Sequence, residues 1–108
     1  MREIALEEMC CEKAEADGWE HRKIQYPGRK GAPDRHFYKA IDHDAGLGFT
    51  LMVEFKKRGE EPNGLQVREH GKLRRVGHRV KVIDNYEDFL VALADSEKWI
   101  KRIRAALA

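Results

Sequence analysis

The 108-residue sequence predicts a mixed α/β domain in which helices pack against a central β-sheet, in the order α-β-β-β-α-β-α-α. Three observations predict it. Residues 2–17 hold no Gly or Pro and place apolar side chains at helical spacing. Residues 48–57 alternate Phe49, Leu51, Val53 and Phe55 with Thr50, Met52, Glu54 and Lys56, the period of a strand. Beyond them, helical and β-branched stretches follow one another, separated by Gly or Asn.

The elements can be taken in order. The first helix carries Leu6, Met9, Cys10 and Ala14 on one side, and Gly18 stands where a C-terminal glycine cap belongs. Residues 19–26 read as a strand running into Tyr26-Pro27-Gly28. Pro27 to Pro33 is a loop with two glycines, two bases and a proline at each end, and residues 34–40 form the second strand. Asp42 to Gly46 is a hairpin turn; its Asp-x-Asp spacing lacks the rest of a calcium loop. After the third strand and a turn over Gly59–Gly64, residues 65–76 form a helix with a basic face at Arg68, Lys72 and Arg75, ended by Gly77. Residues 79–83 make a short strand. Asp84-Asn85 caps a helix over 86–94, and Ser96 caps a last one over 97–107.

The length suits one domain, residues 1–108. No apolar run approaches the roughly 20 residues of a membrane span, and the acidic N-terminus does not read as a signal peptide. A membrane or exported protein is therefore not expected, and the cytoplasm is. The two cysteines, Cys10 and Cys11, are adjacent, which suits reduced thiols serving as small apolar side chains. The net charge of +2 hides an uneven distribution: −5 over residues 1–20, +8 over 21–81 and −1 over 82–108. A middle segment at +8 has the footprint of a surface that attracts a polyanion, although for a charge run alone a solvated surface balanced in three dimensions is the commoner explanation.

Glu54 and Lys56, two apart, project from one face of their strand. Asp34 opens the neighbouring strand after the Gly-rich basic loop. Carboxylates from adjacent strands suit a hard divalent cation, and a lysine beside them can orient a water and stabilise charge on a phosphate. Glu-x-Lys alone is also an ordinary surface pair. His36, on the strand face of Asp34, falls near such a site, and the other four histidines show no ligand spacing.

The ordered set carries more. Gly28-Arg29-Lys30-Gly31-Ala32-Pro33-Asp34 is followed by Val53-Glu54-Phe55-Lys56, with an early helical Glu before Gly18-Trp19, Gln66 after Pro62, and Leu73–Gly77 leading into Val80–Asp84. Nearly the whole chain thus resembles the PD-(D/E)XK nuclease superfamily, and within it the small stand-alone VRR-NUC domain of phages and bacteria.

The resemblance implies a restriction-endonuclease-like core with a central mixed sheet and a Mg²⁺- or Mn²⁺-dependent DNA endonuclease that works as a homodimer on branched or Holliday-junction-like DNA, without an organic cofactor. It implies that Asp34, Glu54 and the main-chain carbonyl of Phe55 hold the metal, that Lys56 positions the attacking water, and that Gln66 faces the site. The early helical acid is Glu3, fifteen residues before Gly18, with Glu7 one turn on as the alternate. Lys23, Arg29, Lys30 and Arg35 are expected at phosphates, with Arg68, Lys72, Arg75 and Arg79 extending that surface. Trp19 and Trp99 suit either base stacking or the core, and Trp99, Ile100, Ile103 and Leu107 either a dimer seam or a core-facing helix. Two rivals are a nuclease-like binding module without activity and a small basic interaction protein; metal-dependent cleavage separates both from the enzyme.

Overall fold

The third strand is the hub of the molecule. The structure, a computed structural model, describes residues 2–108. It has seven elements: α1 (Glu3–Ala16), β1 (Glu20–Lys23), β2 (Arg35–Asp42), β3 (Leu47–Phe55), α2 (Gly64–Arg75), β4 (Arg79–Ile83) and α3 (Tyr86–Leu107). The sheet runs β1-β2-β3-β4. Hairpin connections make β1–β2 and β2–β3 antiparallel, whereas β3–β4 is parallel and needs α2 as its crossover.

The two faces of this sheet differ in chemistry. Phe37, Leu51, Val53, Phe55 and Ile83 meet Leu6, Cys10 and Ala14 of α1 and Phe89, Ala92, Leu93 and Ile100 of α3 in one apolar cluster. Phe89 is its keystone, with ring centroids 5.2 Å from Phe37 and 6.3 Å from Phe55. Each buried phenylalanine contributes roughly 1.5–3 kcal/mol by leaving water. The opposite face is covered by α2, whose buried side chains are both polar, Glu69 and His70. With so little apolar surface to bury, α2 is held by polar devices. Asn63 and Gln66 close a capping box at its start, each accepting the other's main-chain N–H at 2.9 Å. The Arg74 guanidinium donates to the Val80 carbonyl. Arg29 Nε donates to Glu69 Oε1 at 3.2 Å, tying the loop before β2 to the helix.

Most expected elements are present, with corrected ends. The first strand is only Glu20–Lys23, because Trp19 turns into the core and donates its main-chain N–H to Ala14 O. The two C-terminal helices are one, Tyr86–Leu107. Ser96 caps nothing: its hydroxyl donates to the Ala92 carbonyl one turn back, which satisfies it inside a continuous helix. Asn85 is the N-cap, accepting from Asp88 N–H at 2.9 Å. In α3, Ile100 and Ile103 pack on the core while Trp99 and Leu107 are exposed, so half of this stripe faces the core and half faces outward. The Asp42–Gly46 turn is closed by Asp42 Oδ1, which accepts from Ala45 N–H. Cys10 and Cys11 are buried free thiols, pushed up to about 12 and about 11 mainly by burial, as suits inert packing groups. Among the described residues no helix is long and apolar enough to cross a membrane.

The loop before β2 depends on one glycine. Gly31 has φ +94°, and a Cβ there would stand 2.7 Å from the Leu65 carbonyl oxygen of α2. Gly28, in the same loop at φ +68°, has open space around it. Gly31→Ala is therefore expected to destabilise the protein in urea titrations by about 2 kcal/mol or more, and Gly28→Ala by about 1 kcal/mol, the cost of the left-handed backbone alone. Equal losses would show that the approach to α2 is not tight.

Candidate active site

Asp34 is placed by pairing. Arg35 sits opposite Val53, and one further step of that register sets Asp34 across from Glu54. The Ile24 N–H donates to the Asp34 carbonyl at 2.9 Å, extending the β1–β2 ladder and fixing the backbone there. The Phe55 N–H donates to Asp34 Oδ2 at 2.7 Å, so the Phe55 main chain abuts the carboxylate. Lys56 lies one residue past β3 but keeps a ladder bond, its N–H donating to Ile83 O at 2.9 Å.

Glu54 is 2% exposed and lies on the α2 face of the sheet. Burial first, then the neighbouring Asp34 carboxylate and more weakly Glu3, push its carboxyl up to about 8, against the pull of the Lys56 ammonium. Lys56 Nζ stands 4.0 Å from Glu54 Oε2 and 3.5 Å from Glu60 Oε1. Glu54 Oε1 is buried and has no hydrogen-bond partner among the described residues. Facing it at 3.8 Å is His70 Nε2, also buried and also without a partner. Burial and Arg74 hold the His70 imidazole below its ordinary value, hence neutral at physiological pH.

The donor set fits a hard divalent cation. Two carboxylates face each other where one is orphaned and resists ionisation, and a cation would both partner the orphaned oxygen and favour the ionised pair. Among the described residues no three His, Cys, Asp or Glu side chains form a cage. Two carboxylates suit Mg²⁺, which keeps several waters and takes further oxygens from substrate phosphate.

Not every expected residue joins this centre. Glu3 contributes to the field at Glu54, whereas Glu7 is held by Arg35 Nε at 2.8 Å and Lys23 Nζ at 3.2 Å. Gln66 makes no hydrogen bond to the carboxylates; its Oε1 is taken by Asn63 N–H in the capping box. His70, four residues on along the same helix face, is the residue that reaches Glu54. Nothing in the sequence singles it out, since a lone histidine on a basic helix has no ligand spacing. His36 bonds Tyr38 OH through Nδ1 at 3.0 Å and has no hydrogen bond to Asp34 or Glu54 among the described residues. Of the expected phosphate-contacting bases, Lys23 and Arg35 pair with Glu7 and Arg29 with Glu69. Lys30, Arg68 and Lys72 have no acidic partner within 4.0 Å among the described residues, and together with Arg29 they line an open concavity between the loop and α2. Trp19 is core, its Nε1 donating to Glu97.

A solved structure described as a VRR_NUC domain shares this fold with a TM-score of 0.72 and 30% sequence identity, over 85% of this chain and 94% of the other. The chain belongs to the VRR-NUC family. It is also 34% identical over 87 residues to the "Putative nuclease p44" of Acyrthosiphon pisum secondary endosymbiont phage 1, spanning 81% of this chain and 87% of that protein. No protein-family model matches the chain. The paired carboxylates of this VRR-NUC chain thus sit on a fold shared along nearly its whole length, at 30% identity, with a domain of the same family.

The raised Glu54 carboxyl has a consequence for stability. The folded protein holds this proton up to about pH 8, while the unfolded chain releases it near the ordinary value of 4.5. Between those values the folded state binds more protons, so stability falls as pH rises. In EDTA, thermal melts of the wild type are expected to drop between pH 5 and pH 9 by about 5 °C more than those of Glu54→Gln, on the order of 1–2 kcal/mol. Parallel curves for the two proteins would remove the raised carboxyl from the account.

Proposed function

We propose that this VRR-NUC chain is a metal-dependent DNA endonuclease, structure-selective for branched or junction DNA and active as a homodimer. The observation that carries the reading is the Asp34–Glu54 pair, with its buried unpartnered oxygen, beside Lys56. A Mg²⁺ or Mn²⁺ ion held by Asp34, Glu54 and the Phe55 carbonyl would supply an activated water and charge neutralisation at the scissile phosphate. Lys56, anchored between Glu54 and Glu60, holds that water in line with the phosphorus and stabilises charge growing on the phosphate oxygens. Glu3, rather than the already paired Glu7, is the helix acid assigned to the site. His70 positions Glu54 from behind. The products carry a 5′-phosphate and a 3′-hydroxyl.

One chain offers one carboxylate pair, hence one cut. Two copies related by a two-fold axis suit a junction in which two strands must be cut symmetrically. The compartment is the one that holds DNA, the cytoplasm of a bacterium or of a phage's host.

The test is cleavage of four-way, flapped and plain duplex DNA with Mg²⁺, Mn²⁺ or EDTA. The wild type is expected to cut branched substrates with either metal, to stop in EDTA, and to lose about a hundredfold or more in rate on Lys56→Ala or Glu54→Gln. Cleavage that survives EDTA, or a Lys56→Ala protein as fast as wild type, overturns the mechanism.

A further inference from the structure

Beyond Lys56 and the unpaired Lys30, Arg68 and Lys72, two further groups of cations stand out. Lys13, Arg22, Lys23, Arg29, Arg35 and Lys39 each stand within hydrogen-bonding reach of a carboxylate. A second set gathers along the free edge of the sheet. A groove of about 490 Å³ runs between β4 and α3, with Arg74, Arg79, Lys81, Lys98, Arg102 and Trp99 among its walls. None of these five bases has a carboxylate within 4.0 Å among the described residues, and Asp95 is the one acid lining the groove. Trp99 is 42% exposed, and guanidiniums lie over its ring at 4.5 Å (Arg79) and 5.4 Å (Arg102).

We propose that this groove is a second nucleic-acid site, one that binds the backbone phosphates of a DNA strand leaving the catalytic centre. The inference rests on the nuclease reading above and adds to it where the rest of the substrate lies. Three arguments carry it. Cations without acidic partners, converging on a concave wall, form a site for a polyanion, because each phosphate neutralised releases condensed counterions. The ring of Trp99 restrains Arg79 and Arg102, so their N–H forks meet phosphates with less ordering cost than free side chains. The register also sets the spacing. Val82 pairs with Glu54 and Arg79 with Leu51, so the groove begins three residues back along the strands from the carboxylates. That is roughly 10 Å of travel along the strands; because the groove lies against α3 while the carboxylates face α2, a DNA strand joining the two passes round the β4 edge.

An edge strand often carries a lysine simply to discourage pairing with another sheet. Lys81 alone would serve that purpose. Lys98 and Arg102 stand on α3 rather than on the edge strand, and that purpose does not call for them.

Binding is measured by fluorescence anisotropy in EDTA, where no cleavage interferes, against salt concentration. The probes are a four-way junction, a duplex and a single strand of equal length, with polyglutamate as a non-nucleic polyanion. Three variants are compared with wild type, Trp99→Ala being the third. Lys81→Gln/Lys98→Gln removes exposed charges only; Arg79→Ala/Arg102→Ala also removes the flanks of Trp99 and is checked for folding by circular dichroism. Lys81→Gln/Lys98→Gln is expected to weaken junction binding at least fivefold and to reduce the magnitude of the slope of log K against log salt by about 1.4–1.8, two phosphate contacts. A further loss on Trp99→Ala with the single strand alone identifies an unpaired segment as the occupant; equal binding of duplex by Trp99→Ala identifies a paired arm. Unchanged affinity and salt slope in Lys81→Gln/Lys98→Gln overturns the proposal, as does polyglutamate binding as tightly as DNA. Because binding is read without metal, a protein that binds through the groove but cuts nothing with Mg²⁺ or Mn²⁺ defeats the nuclease reading and leaves the site standing.

Discussion

The hydrogen bond from the Phe55 amide to Asp34 Oδ2 is the joint on which the candidate site depends. It is 2.7 Å long and lies where three strands meet: β2 begins after Asp34, β3 ends at Phe55, and β4 lies alongside through Ile83. The bond occupies a main-chain donor at the strand end with a carboxylate instead of another carbonyl. That fixes the rotamer of Asp34 and brings its charge against Glu54. A one-residue slip between β2 and β3 would carry Asp34 to the other side of the sheet. The apolar cluster opposes the slip, because turning β2 over would take the Phe37 ring away from Phe89 and out of the core.

The two faces of the sheet divide the labour. The face against α1 and α3 supplies the hydrophobic free energy, and the face against α2 is the place where a costly group can be tolerated. Glu54 and His70 leave polar atoms unsatisfied there, a local cost on the order of 1–3 kcal/mol per group. Such costs are found where a ligand is to be received. The polar fastening of α2, through the capping box and the Arg29–Glu69 pair, belongs to the same design: a helix that covers carboxylates cannot be glued down by leucines.

Much of the fold was legible because its signals are local. The alternation over Phe49–Phe55, the Asn85 cap and the glycines after the first and second helices each announce an element within a few residues. The opposition of Asp34 and Glu54 was legible only through the resemblance, since register is a property of two strands and neither segment contains it. Three side chains take partners that no local signal announces, and for one reason. Ser96, Gln66 and Arg29 are residues with two satisfactory uses, and tertiary context chose between them. Ser96 bonded the carbonyl one turn back instead of starting a helix, Gln66 closed a capping box, and Arg29 found Glu69 forty residues away. His70 was passed over because a lone histidine on a basic helix carries no distinguishing pattern. Its meaning comes from the Glu54 oxygen across from it.

The central claim is that the orphaned Glu54 oxygen and the Asp34 carboxylate form the locus of a divalent cation. Anomalous diffraction from crystals soaked in Mn²⁺ tests it most directly. The account predicts a strong anomalous peak between Asp34 and Glu54 at about 2.1–2.2 Å from an oxygen of each, absent from Glu54→Gln crystals soaked alike. Manganese bound elsewhere on the protein, with both carboxylates left as they are, would contradict it.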